Sequence, residues 1–389
     1  MDVKYKPETA GTRWFAAVLA AAVVAVAAVA AAGASTAALP KTITIGVLNA
    51  MTGGAGFCGV EEVQGMGLAV KEAKRMKFLG STQVAMKVVD DRSTLDGAVS
   101  GMNQLIDANV PLVVGTCASG GAIAAIPVST RAGMPVILTT ASAATTDADN
   151  VFRAGIPQPR YASRVITYLV KKRGVKKVAV FYDSSIPTNA EAVWRQTQKR
   201  ALEAYKVDIA VAEGAPVLTT GMSDFTSQVA KMVQARPDAI GLIFAGAPNL
   251  TIVRQLRDAG FRGPIWGAQG MLAPFFIDAG SVVNNVFVSV SFAPGIGPKR
   301  SQQFAKAFEQ RYNRPPTELG AHGYDAMWMA LRALKAANST DHAKIIAALK
   351  GIKKMQGAQG ALRFNAVGDA VGSGFVAEFK DGKVVGVST

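Results

Sequence analysis

The fold of this chain follows from residues 42–59, which read TITIGVLNAMTGGAGFCG. The β-branched run at 42–48 predicts a strand, and apolar residues at helical spacing predict a helix from Val60 to Met76. A glycine-rich turn that joins such a strand to such a helix is typical of an α/β unit. This stretch therefore predicts the first unit of an open α/β sheet.

The glycines of this turn have the spacing of a dinucleotide fingerprint, with Gly54, Gly56 and Gly59 in the pattern G-x-G-x-x-G. That fingerprint needs an acidic residue about 20 positions further on, whereas Asp90 stands 31 positions after Gly59. We interpret the turn instead as a loop whose glycines let the backbone approach a ligand. We expect no cofactor.

The same alternation of strands and helices continues along the chain. It predicts strands at 84–89, 112–115, 135–138, 177–182, 207–217, 239–244, 264–267 and 286–292. It predicts helices around 98–106 and at 123–132, 161–172, 191–205, 225–234, 252–259, 301–312 and 319–336, with a shorter one that begins near Asp341. The dipeptide Asp381-Gly382 lies between β-rich runs at 375–380 and 383–387, which is a strong hairpin signal.

Two such series, which meet near residue 160, predict the α/β class with two doubly wound, Rossmann-like lobes joined by hinge segments. We expect the chain to cross between lobes near 155–159, 290–294 and 367–374, and the helices after residue 300 to return to the first lobe. The predicted boundaries are 39–156 plus 293–366 for lobe 1, and 157–292 plus 367–389 for lobe 2. Because ligands of open α/β sheets sit beyond the carboxyl ends of the strands, the site is expected in the cleft between the lobes.

An export segment precedes this unit. Lys4, Lys6 and Arg13 stand before an almost wholly apolar run at 14–32, and small residues follow it. This pattern predicts a secretory signal peptide over residues 1–38. The alternative is an uncleaved membrane anchor, because a run of that length can span a bilayer.

The net charge of +15 does not point to a nucleic-acid partner. The basic residues are scattered, and the densest group, at 171–177, falls at a predicted helix end, where cations complement the helix dipole. Only two cysteines are present, Cys58 and Cys117. In an oxidising compartment they form one disulfide; the alternative is two buried thiols.

The sequence places no metal set and no nucleophile elbow. Its two histidines are His322, expected to be a packed or capping side chain, and His342, near a helix start. The acidic pairs at 61–62 and 90–91 fall at a helix start and a strand end, where carboxylates complement unpaired N–H groups. An exported α/β enzyme with Asp90 or Glu62 as its base stays open as an alternative.

Two polar turns are the candidate anion site. Residues 115–121 read GTCASGG, follow a predicted strand and begin a helix, so their backbone N–H groups suit an anion, and Ser119 adds a hydroxyl. The alternative is that Ser119 only caps the helix. Thr139, Thr140 and Ser142 offer further hydroxyl groups to the same cleft.

At these residues the chain resembles the class I periplasmic binding proteins, in the leucine/isoleucine/valine-binding branch that supplies ABC transporters. The resemblance covers residues 41–389. It rests on the order and spacing of 45–47, 51–53, Gly65 with 68–70, 90–91, 115–119, 152–153, 177–179 and 324–326. It implies the type I periplasmic-binding-protein fold, a periplasmic location and no enzymatic activity. It further implies a small carboxylate-bearing ligand that is handed to membrane permease subunits; a sensory protein that docks on a receptor is the related alternative. We expect a monomer.

The resemblance also implies roles for individual residues. The ligand carboxylate would be held by Ser119 and Ser142, with backbone from Thr140. The family's own disulfide positions are not Cys here; Cys58 falls where an aromatic pocket wall is common and Cys117 beside the serine turn. A bridge between these two cysteines would tie two site loops together.

Other positions depart from the family pattern. Gln158 and Gln269 match positions where relatives that bind amino acids place acids near the α-ammonium, and Ile186 and Ala247 stand where tyrosine is frequent. Phe57 is expected either to line the apolar part of the pocket or to serve the core. A glutamine cannot neutralise a buried cation. The resemblance thus implies a branched-chain or other amino acid as the ligand, whereas the glutamines favour the alternative, an organic or aromatic acid lacking the ammonium.

Overall fold

The computed structural model describes residues 39–141, 146–186, 188–372 and 374–387. The predicted export segment, 1–38, lies outside these residues, as does Ser142. No helix in the described part of the chain combines the length and the apolar character needed to cross a membrane.

The strands follow the predicted alternation. They are β1 Thr42–Asn49, β2 Gln83–Asp90, β3 Val113–Gly115, β4 Val136–Leu138, β5 Val151–Arg153, β6 Lys177–Asp183, β7 Asp208–Ala215, β8 Ala239–Ile243, β9 Ile265–Gly267, β10 Val286–Val290, β11 Lys354–Gly357, β12 Gly360–Phe364, β13 Ala370–Val371, β14 Phe375–Lys380 and β15 Lys383–Val387.

Helices connect them. They are α1 Gly56–Arg75, α2 Leu95–Asp107, α3 Ser119–Arg131, α4 Arg164–Arg173, α5 Arg200–Ala204, α6 Val217–Thr220, α7 Thr226–Gln234, α8 Pro248–Asp258, α9 Pro274–Ile277, α10 Lys299–Tyr312, α11 Glu318–Ala337 and α12 His342–Gly351. Short 3₁₀ turns cover Gln158–Arg160, Gln269–Leu272 and Gly280–Val283, and a π-helical segment, Thr188–Lys199, leads into α5.

Two sheets carry the two lobes. In lobe 1 the order is β2-β1-β3-β4-β5, with every pair parallel. Lobe 2 repeats this order in β7-β6-β8-β9-β10 and adds the antiparallel strands β14 and β15 beyond β10. The predicted fold class is confirmed. Phe308 and Leu331, in the helices after residue 300, share a core with Ile43 and Val47 of β1.

Glycines let helix α1 pack closely on both of its neighbours. A Cβ at Gly59 would collide with the carbonyl oxygen of Ala50 at the end of β1, and one at Gly65 with the carbonyl oxygen of Gly320 in α11. Gly54, by contrast, has open space around it. The third glycine of the G-x-G-x-x-G pattern therefore serves close packing of helix on strand.

The C-terminal hairpin was predicted correctly from its turn. Asp381 and Gly382 have φ of 50° and 72°, and β14 pairs antiparallel with β15 around them. Positive φ at both central residues is what a two-residue hairpin turn of this hand requires.

Some elements had too little pattern to be predicted. Strand β5 has three residues, and the separate sheet β11-β12-β13 is built from strands of four, five and two residues. Such short runs carry almost no periodicity. The helix predicted at 191–205 is π-helical up to Lys199, where Thr197 donates its hydroxyl to the carbonyl of Ala192, five residues earlier, at 2.6 Å.

Candidate ligand site

The site at lobe 1 begins where β1 and β3 end side by side, at the switch point of the sheet. Asn49, the last residue of β1, is fully buried. Its Oδ1 accepts from the N–H of Ala50 at 3.0 Å and of Cys117 at 2.9 Å, and its Nδ2 donates to Glu62 Oε2 at 2.7 Å. One amide thus fixes the turn after β3 against the end of β1 and the side of α1.

Glu62 joins a third loop to this arrangement. Its Oε2 also accepts from Thr139 Oγ1, at 2.6 Å, at the end of β4. Burial raises the pKa of Glu62 to about 7, although hydrogen bonds from Thr139, Thr140 and Asn49 act in the opposite direction. This buried carboxyl is a structural anchor for the loops after β1, β3 and β4.

Cys58 and Cys117 are joined by a disulfide, with their Cα atoms 6.1 Å apart. Both are buried and pack with Leu319, and half-buried Phe57 lies against them. Ligand atoms of Cys58, Cys117 and Glu62 lie within 4.8 Å of one another. Because the two sulfurs are bonded to each other, this group offers a metal only one carboxyl, which is too few ligands for a protein zinc site.

The two polar turns lie at the same edge. Helix α3 begins at Ser119, and its N-cap residue is Ala118, which makes no side-chain cap. The interpretation of Ser119 as the cap itself was therefore wrong; it is the first helical residue, half-buried, at the start of α3. Half-buried Thr140 has its Oγ1 2.7 Å from His322 Nδ1. The role predicted for Ser142 lies outside the described residues.

The two acids considered as a catalytic base either accept several hydrogen bonds already or are completely buried. Asp90 accepts hydrogen bonds from the N–H groups of Met51, Thr52 and Arg92 and from Thr52 Oγ1. Desolvation raises the pKa of Asp90, but these hydrogen bonds outweigh it and lower the pKa overall. Glu62 has no exposed surface. Both acids hold loops in place.

Lobe 2 places its predicted residues at the matching edge and at the hinge. Ala247 is exposed and directly precedes helix α8 after β8, and Gln269 begins the 3₁₀ turn after β9. Half-buried Ile186 follows β6. Gln158 is buried in the 3₁₀ turn that ends the first hinge segment.

The sequence interpretation missed a buried polar group at the hinge. Glu318 and His322 lie one turn apart at the start of α11, and Tyr161 Oη donates to both oxygens of Glu318 at 3.1 and 3.2 Å. Ser291, in the second hinge segment, has its Oγ 3.0 Å from Glu318 Oε2 and 2.7 Å from His322 Nε2. The i,i+4 spacing of the acid and the histidine was the available signal. His322 had been expected to be packed, and it is fully enclosed.

Solved structures with the same fold define the class. The branched-chain amino acid transporter substrate-binding protein LivJ from Streptococcus pneumoniae, in complex with isoleucine, is 26% identical with a TM-score of 0.80, over 90% of this chain and 100% of that one. A solute-binding protein of an ABC transporter from R. palustris, in complex with benzoate, has a TM-score of 0.75 at 22% identity, over 89% and 96%. The fold is that of the two-lobed solute-binding proteins of ABC transporters.

The chain belongs to the periplasmic binding protein family, whose profile matches residues 42–383. The relatives that the chain matches at 26% identity are named for branched-chain amino acids. The Leu/Ile/Val-binding protein homolog 3 of Brucella melitensis is 26% identical over 355 residues, which cover 89% of this chain and 93% of the relative.

Proposed function

We propose that this chain works outside the cytoplasm, captures a small carboxylate-bearing ligand in its cleft and delivers it to the permease subunits of an ABC importer. The observation that supports this proposal is the start of helix α3 at the switch point of lobe 1, with Ser119 beside it and Thr140 at the same edge. N–H groups and the dipole at a helix start favour an anion. Capture and release need hinge closure and no covalent chemistry.

The ligand class that we propose first is a branched-chain or other amino acid, because the relatives at 26% identity are named for leucine, isoleucine and valine or hold isoleucine. The alternative is an organic or aromatic acid without an ammonium. Gln158 and Gln269 favour this alternative, because neither can neutralise a buried cation. The fold itself leaves both classes open, since it holds isoleucine in one solved structure and benzoate in another.

A binding screen tests the proposal. Calorimetry and thermal shift with leucine, isoleucine, the keto acid of leucine and benzoate should find at least one ligand that stabilises the protein, by about 2.7 kcal/mol at a hundredfold excess over Kd. The same ligand should be recovered chemically unchanged. Ser119→Ala should weaken binding roughly tenfold or more, as expected for loss of a hydrogen bond to a charged group. Ser81→Ala, at an exposed serine beyond the amino end of β2, is the matched control and should bind normally.

Three results would count against this function: no stabilisation by any of the four compounds, conversion of a bound compound, or wild-type affinity in Ser119→Ala.

Export is tested separately. The N-terminus of the secreted protein should fall near residues 33–39, whereas full-length chain in the membrane fraction would support the anchor.

A further inference from the structure

A buried chain of hydrogen bonds crosses from the candidate ligand turn to the hinge. Thr140 Oγ1 lies 2.7 Å from His322 Nδ1, His322 Nε2 lies 2.7 Å from Ser291 Oγ, and Ser291 Oγ lies 3.0 Å from Glu318 Oε2. Thr140 follows β4 in lobe 1, whereas Ser291 belongs to the hinge segment after β10 of lobe 2. The imidazole of His322 is therefore the link between the two.

The first hinge segment passes over the same histidine. A Cβ placed on Gly155 would collide with the carbonyl of Thr139 and come within 3.1 Å of His322 Nδ1. Tyr161, just beyond this segment, donates its hydroxyl to Glu318. Any rotation at the two hinge segments must therefore keep or rearrange the contacts of the buried His322 ring.

The number of protons available along this chain of hydrogen bonds determines which group donates in each bond. His322 is fully buried, and burial lowers its pKa to about 3, so the ring is neutral and has one donor and one acceptor nitrogen. The Thr140 hydroxyl also hydrogen bonds with the carboxyl group of Glu62. Four links thus run between Glu62 and Glu318, and the two hydroxyls and the ring supply three protons.

The fourth proton belongs on Glu62. Burial raises the pKa of Glu62 to about 7, whereas the neighbours of Glu318 along the chain of hydrogen bonds, the Tyr161 hydroxyl and the N–H and hydroxyl of Ser291, are already donors to it. With that proton in place, Thr140 donates to Nδ1, Nε2–H donates to Ser291, and Ser291 donates to Glu318. Each group in the chain is then satisfied.

We infer that His322 is a positioning residue that couples the Thr140 turn to the hinge at Ser291, so that ligand affinity depends on both nitrogens of its ring. This inference rests on the proposed function, because Thr140 is taken to lie at the ligand. Ser291 then influences a ligand that it does not touch. Among the described residues, the hydrogen bonds between Thr140 and Ser291 pass through one side chain and can be cut on either side of it.

A double-mutant cycle on ligand affinity tests the coupling. Thr140→Val and Ser291→Ala remove hydroxyls that are joined only through His322 in the described chain of contacts. We expect Ser291→Ala to weaken binding about fivefold or more, and the double variant to be no weaker than the weaker single variant.

The matched control is Ser289→Ala. Ser289 is buried in β10, two residues before Ser291, but it bonds within lobe 2, to the N–H of Val165 at 2.9 Å and the carbonyl of Ala162 at 3.2 Å. This variant should lose stability and keep its affinity.

Two substitutions of the ring separate its nitrogens. His322→Asn places an amide near the Nδ1 position and keeps the contact with Thr140, whereas His322→Gln reaches the Nε2 position and keeps the contact with Ser291. Coupling requires that both weaken binding. Normal affinity in Ser291→Ala or in His322→Asn, or strictly additive effects in the cycle, would overturn the inference.

One measurement needs no ligand. Nitrogen-15 NMR of the histidines should show His322 as the neutral tautomer with its proton on Nε2 at pH 6, and the opposite tautomer would refute the direction of the chain. If the wild-type protein binds none of the tested acids, the proposed function and the coupling to affinity both fail. If it binds and Ser291→Ala binds equally well, only the coupling fails.

Discussion

The two lobes have the same order of parallel strands, yet their carboxyl edges are built differently. In lobe 1, side chains bond from one loop to another: Asn49 to the turn at Cys117, Glu62 to Thr139, and Ser93 to the N–H of Ala55. In lobe 2, side-chain hydrogen bonds described at this edge stay within one turn, as from Ser185 to Asp183 and from Asn249 to the carbonyl of Phe244. The disulfide adds a covalent brace to lobe 1 alone.

Under the proposed function, this difference bears on which lobe receives the ligand first. A loop that is already held in place loses little conformational freedom when it binds, so the braced edge of lobe 1 is prepared for contact before closure. Lobe 1 would then be the receiving face and lobe 2 the closing face, and three experiments can break or sharpen that division.

The largest effect is expected from the disulfide. It closes a loop over a sequence separation of 59 residues, for which chain entropy gives about 4 kcal/mol of stabilisation. Replacing both Cys58 and Cys117 by Ser should lower the free energy of unfolding by that order. Hydrogen exchange should show the loss in lobe 1, around β1, β3 and α1. Equal loosening of both lobes would show that the brace is not local.

A pair of buried asparagines gives the next comparison. Asn49→Ala leaves the N–H groups of Ala50 and Cys117 without their acceptor, which should cost about 3 kcal/mol and also weaken ligand binding. Asn249→Ala, at the matching edge of lobe 2, removes only the two bonds to carbonyls of its own turn. It should cost about 1 kcal/mol. Urea unfolding and calorimetry of both variants measure the difference, and equal losses would argue against a special role for the lobe 1 edge.

The pH dependence of stability is expected to be of similar size, about 3 kcal/mol. The pKa of Glu62 rises from 4.5 to about 7 on folding, so the folded protein holds this proton more tightly. The contribution of Glu62 to stability is full below pH 4.5 and is lost as the pH rises through 7. Glu62→Gln should remove this decline.

Asp325 supplies an internal reference for that experiment. Burial raises the pKa of Asp325 from 3.8 to about 6, although hydrogen bonds from Ala358 and Gln359 lower it. The loss of stability that comes from Asp325 is therefore complete at a lower pH than the loss from Glu62. The difference between wild-type protein and Glu62→Gln therefore isolates Glu62 between pH 6 and 7. Parallel curves in that interval would contradict the pKa of Glu62.

Much of the fold could be predicted because it follows from local patterns. The apolar period separates strands such as 42–48 from helices such as 301–312, and a two-residue turn identifies the last hairpin. Strand β5 and the small sheet at 354–371 could not be predicted, since their short strands lie outside the consecutive apolar runs that mark the equally short β3, β4 and β9.

The candidate site divides in the same way. The sequence by itself determined the alternation of elements, the glycine-rich turns and the presence of a single pair of cysteines, because these depend on residues close together in the chain. Only the tertiary structure decided that Asn49, Glu62 and Thr139 meet, or that His322 stands between Thr140 and Ser291, 182 and 31 residues away. Buried polar groups hydrogen bond to the groups that tertiary packing brings within reach, and the spacing of residues along the sequence does not predict those partners.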